Sequence, residues 1–426
     1  MEELTGVNDP MNEQKPVAVI LGGIYPHGFL MRKLKARGYY TVLVDYFDAP
    51  PAAADADEHI KESAMDYDAV LKIAKEKNAE LVMSPCLDQQ MLIAARVSET
   101  LGLSFPFDPE TARNVTNKRY MKKIMMENGI PTAKYIQVGK DTDLSSLGLR
   151  FPVIVKPVDS CGSAGVARIE DPALLAEAVK RAGGWSFSND VIIEEYRQGR
   201  EVSVYSYVRD KKAVVVTTQN RISFVGSDIV KCFSSVCPAD VSAQVKEKLG
   251  EVATRIAQVF GFDNTPLFYQ AIVGEDGEVS VIEFSPRLGG GTCFYLMEDN
   301  ADFDMLSASI DSYHHIRFDK DPVPEKKTIL AYQVQGMEGV YDHTEGLEEQ
   351  KSKGLIAEYF MQKTSGMHIS TEKASSARVI ALIIKGDDRM ECLGKLREAM
   401  KGIRIIDNEG RDITDRRLIP AEGDIV

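Results

Sequence analysis

The first hundred residues carry the feature that most constrains this chain, an alternation of short apolar runs with amphipathic ones. Val17 to Leu21 is wholly apolar, rich in β-branched residues, and ends at Gly22-Gly23, which predicts a buried strand. A helical pattern follows from Phe29 to Ala36 and stops at Gly38. Tyr40 to Val44 reads as a second strand, Tyr67 to Lys77 as a helix, Leu81 to Ser84 as a third strand, and Gln89 to Leu101 as another helix. Strands and amphipathic helices in this order form a parallel α/β layer. A Rossmann-like domain is therefore expected over residues 1–105.

Beyond it the pattern changes. Lys118 to Glu127 is helical and closed by Asn128-Gly129, with Pro131 just past the end. Val153 to Lys156, Val191 to Glu195, Val202 to Val208 and Ala213 to Thr218 read as strands whose spacing suits an antiparallel sheet. A long helix, Val241 to Phe260, precedes two more strands, Leu267 to Val273 and Val279 to Phe284. The charged, proline-containing stretch Pro322 to Lys327 marks a boundary. After it come strands Thr328 to Val334 and Arg378 to Ile384 and a helix, Met390 to Met400, in a smaller mixed domain. The expected division is 1–105, then 106–321 in two α+β parts (106–196 and 197–321), then 322–426. A chain of 426 residues exceeds what one hydrophobic core serves, which agrees with several domains.

Charge and cysteine usage exclude some classes. The net charge is -13 with no basic stripe, so nucleic acid is not an expected partner. Met1 to Lys15 lacks the basic-then-apolar order of a secretory signal, and the apolar runs are too short to span a bilayer. The cysteines at 86, 161, 232, 237, 293 and 392 show neither zinc-ligand spacing nor a compact disulfide framework. Reduced thiols and a cytosolic setting are expected.

Four features in the middle of the chain carry chemistry. In Phe151-Pro152-Val153-Ile154-Val155-Lys156-Pro157 a lysine ends an apolar strand, a place tolerated where an anion sits opposite; taken alone, a snorkelling structural lysine explains it as well. The small-residue loop Asp159-Ser160-Cys161-Gly162-Ser163-Ala164-Gly165 lets backbone N–H groups approach a phosphate, or is an ordinary turn. It matches neither a Walker A loop nor a dinucleotide fingerprint. In Val191-Ile192-Ile193-Glu194-Glu195-Tyr196 and the following Glu201, an apolar run leads into acids and a turn at Gly199. Such a hinge offers backbone groups to an adenine edge and a carboxylate to ribose hydroxyls, the alternative being a solvated hairpin. The fourth feature pairs Phe268-Tyr269-Gln270 with Val281-Ile282-Glu283-Phe284-Ser285-Pro286-Arg287-Leu288-Gly289-Gly290-Gly291. A glutamate inside an apolar strand needs a cation partner, and Mg²⁺ is the natural one beside nucleotide phosphates. Arg287 suits bidentate contact with a phosphoryl group or a carboxylate, the alternative being a Glu–Arg ion pair at a strand end.

In this order and spacing the features resemble the ATP-grasp superfamily over Pro16 to Ile310, and the last hundred residues fit its variable carboxy-terminal domain more loosely. The resemblance implies ATP held between two α+β subdomains behind the Rossmann-like layer. It implies nucleotide lysines at Lys118 and Lys156, a flexible phosphate lid at Ser160, Gly162, Ser163 and Gly165, an adenine hinge at Glu194, Glu195 and Tyr196, and a ribose acid at Glu201. Gln270, Glu283 and Ser285 fall at the metal-ligand positions, for Mg²⁺ or Mn²⁺, and Arg287 at the arginine for phosphate or acyl phosphate. Gln270 and Ser285 stand where the family usually has an acid and an asparagine, leaving Glu283 as the one formal carboxylate; glutamine also occurs in the branch resembling the large chain of carbamoyl-phosphate synthetase. The implied reaction activates a small-molecule carboxylate as an acyl phosphate and passes it to an amine, releasing ADP and phosphate. Amino-acid and dipeptide ligases look most similar. The family often forms homodimers.

Substrate candidates are Tyr25 and His27 after the first strand, because loops at the carboxyl ends of parallel strands line crevices, together with Gly290 and Arg378. Three alternatives stay open: a purine-biosynthesis-type carboxylase or amidoligase, a biotin-dependent carboxylase served by a separate carrier chain, and a nucleotide sensor without turnover.

Overall fold

The computed structural model describes residues 15–139, 142–144, 146–160, 164–225, 230–371 and 375–425. The chain opens with β1 (Val17–Leu21), α1 (Tyr25–Ala36), β2 (Tyr40–Asp45), β3 (Glu58–Lys61), α2 (Tyr67–Glu76), β4 (Ala79–Met83) and α3 (Asp88–Leu101). The four strands pair in parallel in the order β3-β2-β1-β4. Alternation along β1 decides what each face covers. Val17, Val19 and Leu21 pack with Val70, Ile73 and Val97 of α2 and α3, while Ala18 and Ile20 pack with Leu30 and Leu34 of α1. Both faces are therefore apolar, which is why the run shows no polar alternation. Helix α1 begins at Tyr25 and not at Phe29, because Pro26 fits the first helical turn. Tyr25 and His27, expected in a loop, lie on that turn.

Next come α4 (Pro109–Thr116) and α5 (Lys118–Glu127). The Asn117 side chain accepts from the Arg119 N–H and caps α5, so Lys118 stands at the helix entrance. Strands β5 (Tyr135–Val138), β6 (Val153–Pro157) and β7 (Ala167–Ile169), helix α6 (Leu175–Gly183) and β8 (Val191–Glu195) follow. They form an antiparallel sheet in the order β5-β8-β6-β7, backed by α6.

The remaining elements are β9 (Arg200–Arg209), β10 (Lys212–Val225), β11 (Val230–Cys237), α7 (Ala243–Phe260), β12 (Thr265–Val273), β13 (Val279–Ser285), α8 (Cys293–Ala301), α9 (Met305–Tyr313), β14 (Thr328–Gly336), β15 (Gly339–Glu345), α10 (Leu347–Ser352), β16 (Glu358–Met361), β17 (His368–Ile369), β18 (Arg378–Gly386), α11 (Arg389–Gly402), β19 (Arg404–Asp407), β20 (Thr414–Asp415) and α12 (Glu422–Ile425). One large antiparallel sheet runs β13-β12-β9-β10-β11-β14-β18-β16, with β20 added to β14. The stretch Pro322 to Lys327 leads straight into β14, which pairs with β11, so one hydrogen-bonded sheet spans both sides of it. Among the described residues no helix is long and apolar enough to cross a membrane.

Candidate functional site

The two antiparallel sheets face each other across a cleft lined with charge. Lys118 Nζ lies 3.3 Å from Glu283 Oε2 and donates to the Ser160 carbonyl at 2.9 Å. Lys156, at the end of β6, lies 2.7 Å from Glu194 Oε1, and Lys122 Nζ lies 3.1 Å from the same oxygen. Lys122 is fully buried, one helical turn after Lys118 on the face that also buries Met121 and Met125. Burial pushes its ammonium down to about 8 against the pull of Glu194. Burial opposes ionisation of Glu194 too, yet the two lysines hold its carboxyl below the usual value.

Strand alternation parts the residues expected at the adenine hinge. Glu194 turns inward to the lysines. Glu195 turns outward, where it accepts from the Arg150 N–H at 3.2 Å and from its guanidinium at 3.1 Å. The Tyr196 ring lies 4.2 Å from the Arg168 guanidinium. The hinge N–H groups of Glu195 and Tyr196 donate to the carbonyls of Lys134 and Pro152. Gly165 adopts φ +72°, and a Cβ there would sit 2.7 Å from Trp185, so both the backbone and the space call for glycine. Gly162 and Ser163 lie outside the described residues.

Glu283 on β13 stands directly opposite Gln270 on β12, and Ser285 opposite Phe268. The Gln270 amide is held at both ends: its nitrogen donates to Glu283 Oε1 at 3.1 Å and its oxygen accepts from Arg221 Nη1 at 2.8 Å. Arg221 Nε also lies 2.7 Å from Glu201 Oε1. One arginine on β10 thus ties together the residues expected for ribose and for metal. Burial opposes ionisation of Glu283, while Lys118 and Lys156 hold its carboxyl below the usual range. The Ser285 hydroxyl is buried, close to Asp88 but without a hydrogen bond of good geometry. Among the described residues no group of three or more His, Cys, Asp or Glu is placed to hold a metal. The donors fit a single hard cation on the Glu283 carboxylate with Ser285 nearby, completed by oxygens from a bound ligand.

Arg287 makes a two-point fork with Asp88, Nε and Nη2 each donating at 2.6 Å, while Nη1 donates to the Leu288 carbonyl at 2.7 Å. Burial works against the charge on Asp88, and Arg287 overrides it, holding the carboxyl below its usual value. Asp88 opens α3 just past the carboxyl end of β4, so the fork fastens the first domain to the cleft. The sequence reading passed over Asp88, Lys122 and Arg221. Asp88 had a usable signal, since it follows the carboxyl end of a parallel strand.

The substrate candidates are dispersed more widely. His27 is fully buried; Nδ1 meets the Ile24 carbonyl at 3.1 Å, Nε2 lies 3.9 Å from Cys86 Sγ, and burial pushes the imidazole down to about 4. The turn Gly289 to Gly291 passes under the first domain: a Cβ on Gly290 would lie 3.9 Å from the Cys86 carbonyl, and one on Gly291 would lie 3.7 Å from Tyr25 Oη. Arg378 opens β18 and donates through Nη2 to the Cys232 carbonyl at 2.9 Å.

The site is thus a cleft between two antiparallel sheets, in which lysines converge on Glu194 and Glu283. Residues 149–295 match the family profile described as the ATP-grasp domain. The chain is 25% identical over 291 residues, 66% of its length, to a formate-dependent phosphoribosylglycinamide formyltransferase of Sulfurisphaera tokodaii, and covers 72% of that protein. It is 25% identical over 194 residues, 43% of its length, to a D-alanine–D-alanine ligase of Geobacter sulfurreducens, and covers 58% of it. Among solved structures it superposes on an L-amino acid ligase from Bacillus licheniformis with a TM-score of 0.76 at 19% identity, covering 93% of this chain and 99% of that one. Over residues 149–295 the chain thus matches the ATP-grasp domain, and it shares the fold of the L-amino acid ligase along nearly its whole length.

Proposed function

We propose that the protein is an ATP-dependent, cytosolic carboxylate–amine ligase that forms an amide or peptide-like bond through an acyl phosphate and releases ADP and phosphate. The observation that carries this reading is the convergence of Lys118, Lys156, Glu283 and Arg287 on one cleft. Bound Mg-ATP supplies the phosphoryl group that activates the carboxylate. Lys118 and Lys156 offset negative charge on the phosphates, and Glu283 holds the cation. Arg287, already held in a fork by a carboxylate, exchanges Asp88 for a phosphoryl or acyl phosphate of similar shape. Asp88 positions that guanidinium beforehand. The lid role that the resemblance implies for Ser160 and Gly165 is to keep water from the acyl phosphate. No protein nucleophile takes part.

The formyltransferase relative favours a second reading, in which the amine belongs to a ribonucleotide intermediate. ADP release with Mg-ATP across a matrix of carboxylates and amines separates the readings. Amino acids in pairs come first, and formate with a phosphoribosylamine is included. Release of ADP and phosphate, without AMP, that requires one particular pair is the expected result. ATP binding with no pair-dependent release anywhere in the matrix would instead indicate a nucleotide sensor.

A further inference from the structure

We infer that Arg378 and the Tyr25 hydroxyl form an anion subsite for a substrate carboxylate that is not activated in the reaction. This rests on the ligase reading above and names a chemical requirement of its substrates.

The floor of the cleft is one face of the large sheet. Glu283 stands opposite Gln270, and Gln270 bonds Arg221 on β10. The next strand, β11, carries the Cys232 carbonyl that receives Arg378. A line of polar groups thus leads from the proposed phosphoryl end at Glu283 to Arg378.

Charge pairing distinguishes the far end of that line. Lys118 faces Glu283, Lys122 and Lys156 share Glu194, Arg221 faces Glu201, and Arg287 faces Asp88. Among the described residues Arg378 meets no carboxylate, and its Nε is buried without an acceptor. Tyr25 repeats the pattern from above: it is 8% exposed, and its hydroxyl has no partner among the described residues. Its ring stacks on Phe360 with centroids 5.1 Å apart and planes 7° apart. Phe360 pairs with Ala381 of β18, the strand that Arg378 begins; Tyr25, Phe360 and Ala381 share one cluster, and Arg378 is near enough to act on the Tyr25 hydroxyl electrostatically. A Cβ on Gly291 would lie 3.7 Å from the same hydroxyl, so the glycine turn runs close to it. Burial drives the Tyr25 hydroxyl well away from ionising, which keeps its proton available for donation.

Two buried donors without acceptors are costly, and each wants an oxygen. A metal cation is the wrong complement for a guanidinium. A carboxylate is the right one, because it accepts at two oxygens and carries the charge that Arg378 lacks. Two sources supply such a group: the α-carboxylate of an amino acid serving as the amine, or the second carboxylate of a diacid serving as the acyl donor.

The test is isothermal titration of the full-length protein, preloaded with Mg²⁺ and a non-hydrolysable ATP analogue. The probes are L-amino acids with their C-terminal amides, and diacids with their monoamides. At least one acid should bind, and its amide should bind roughly 10- to 100-fold more weakly, the range for a charge-assisted hydrogen bond. Arg378→Gln should weaken the acid by a similar factor and leave its amide nearly unchanged. Tyr25→Phe keeps the stacked ring and should cost the acid about 3- to 10-fold, the net range of one hydrogen bond. Should Arg378→Gln misfold, the Tyr25 variant and the acid–amide comparison still decide. The class of acid that binds separates the two sources. Equal binding of acid and amide, unchanged acid affinity in both variants, or no binding by any acid while the nucleotide analogue binds, each overturns the subsite. Acid binding without ADP release from any pair would instead sink the ligase reading and leave the subsite standing.

Discussion

The two ends of the cleft solve opposite problems with the same residue types. At the phosphate end every lysine and arginine named above is matched by a carboxylate from this chain, often from a distant segment: Arg287 and Asp88 are 199 residues apart. At the Arg378 end the donors are buried and unmatched. A buried cation that must persist before any ligand arrives needs a partner, because the isolated charge is far too costly. The paired end is therefore built in advance, and ligand anions enter it by exchange. The unmatched end is completed by what binds there.

The strongest test of the paired end is Glu194→Gln, which leaves two buried ammonium groups without their shared carboxylate. A loss of about 3–5 kcal/mol in denaturant melts is expected, the range for breaking a buried pair. A loss below about 1 kcal/mol would show that water or a rearranged acid takes over. Glu283→Ala should lower ADP release by about 10²–10³-fold, as for removal of one preorganised transition-state contact, with circular dichroism unchanged. Normal turnover in that variant would remove Glu283 from the metal position.

His27 gives a pH-dependent check beside Tyr25. Its folded value is near 4 against an unfolded 6.5, so between those values the unfolded chain binds a proton that the folded one refuses. Stability should fall by up to about 3 kcal/mol as the pH drops from 6.5 towards 4, and His27→Leu should flatten that limb. A limb unchanged by the substitution would mean that another group titrates there. The smallest effect belongs to Arg150, whose side chain is 80% exposed beside Glu195. Arg150→Ala should shift stability by less than about 1 kcal/mol, and a larger loss would show that the pair outside the cleft matters as much as those inside.

Legibility in the sequence followed the range of the interaction. β1, α5 and β8 match their sequence ranges to the residue, since each rests on local periodicity and end signals. The short strand β3 and the helices α8 and α9 had no such period and were passed over. Lys156, Glu283 and Arg287 were conspicuous as charges within or at the end of apolar strands, and Lys118 came from the family resemblance. Their partners were not, because Asp88, Lys122 and Arg221 look like ordinary surface charges until strands and helices from elsewhere cover them.

By itself, then, the sequence determined the parallel first layer, the antiparallel sheets behind the cleft, and which charged residues stand where a core should be apolar. These depend on residue order over a few positions, and local sterics and burial read that order directly. Only the tertiary structure decided how the charges pair: that Glu194 faces lysines, that Gln270 is held by Arg221, and that Arg378 and Tyr25 are left with donors to spare. Pairing depends on which segments meet across the cleft and on how completely they exclude water, and neither is encoded within any one stretch of the chain.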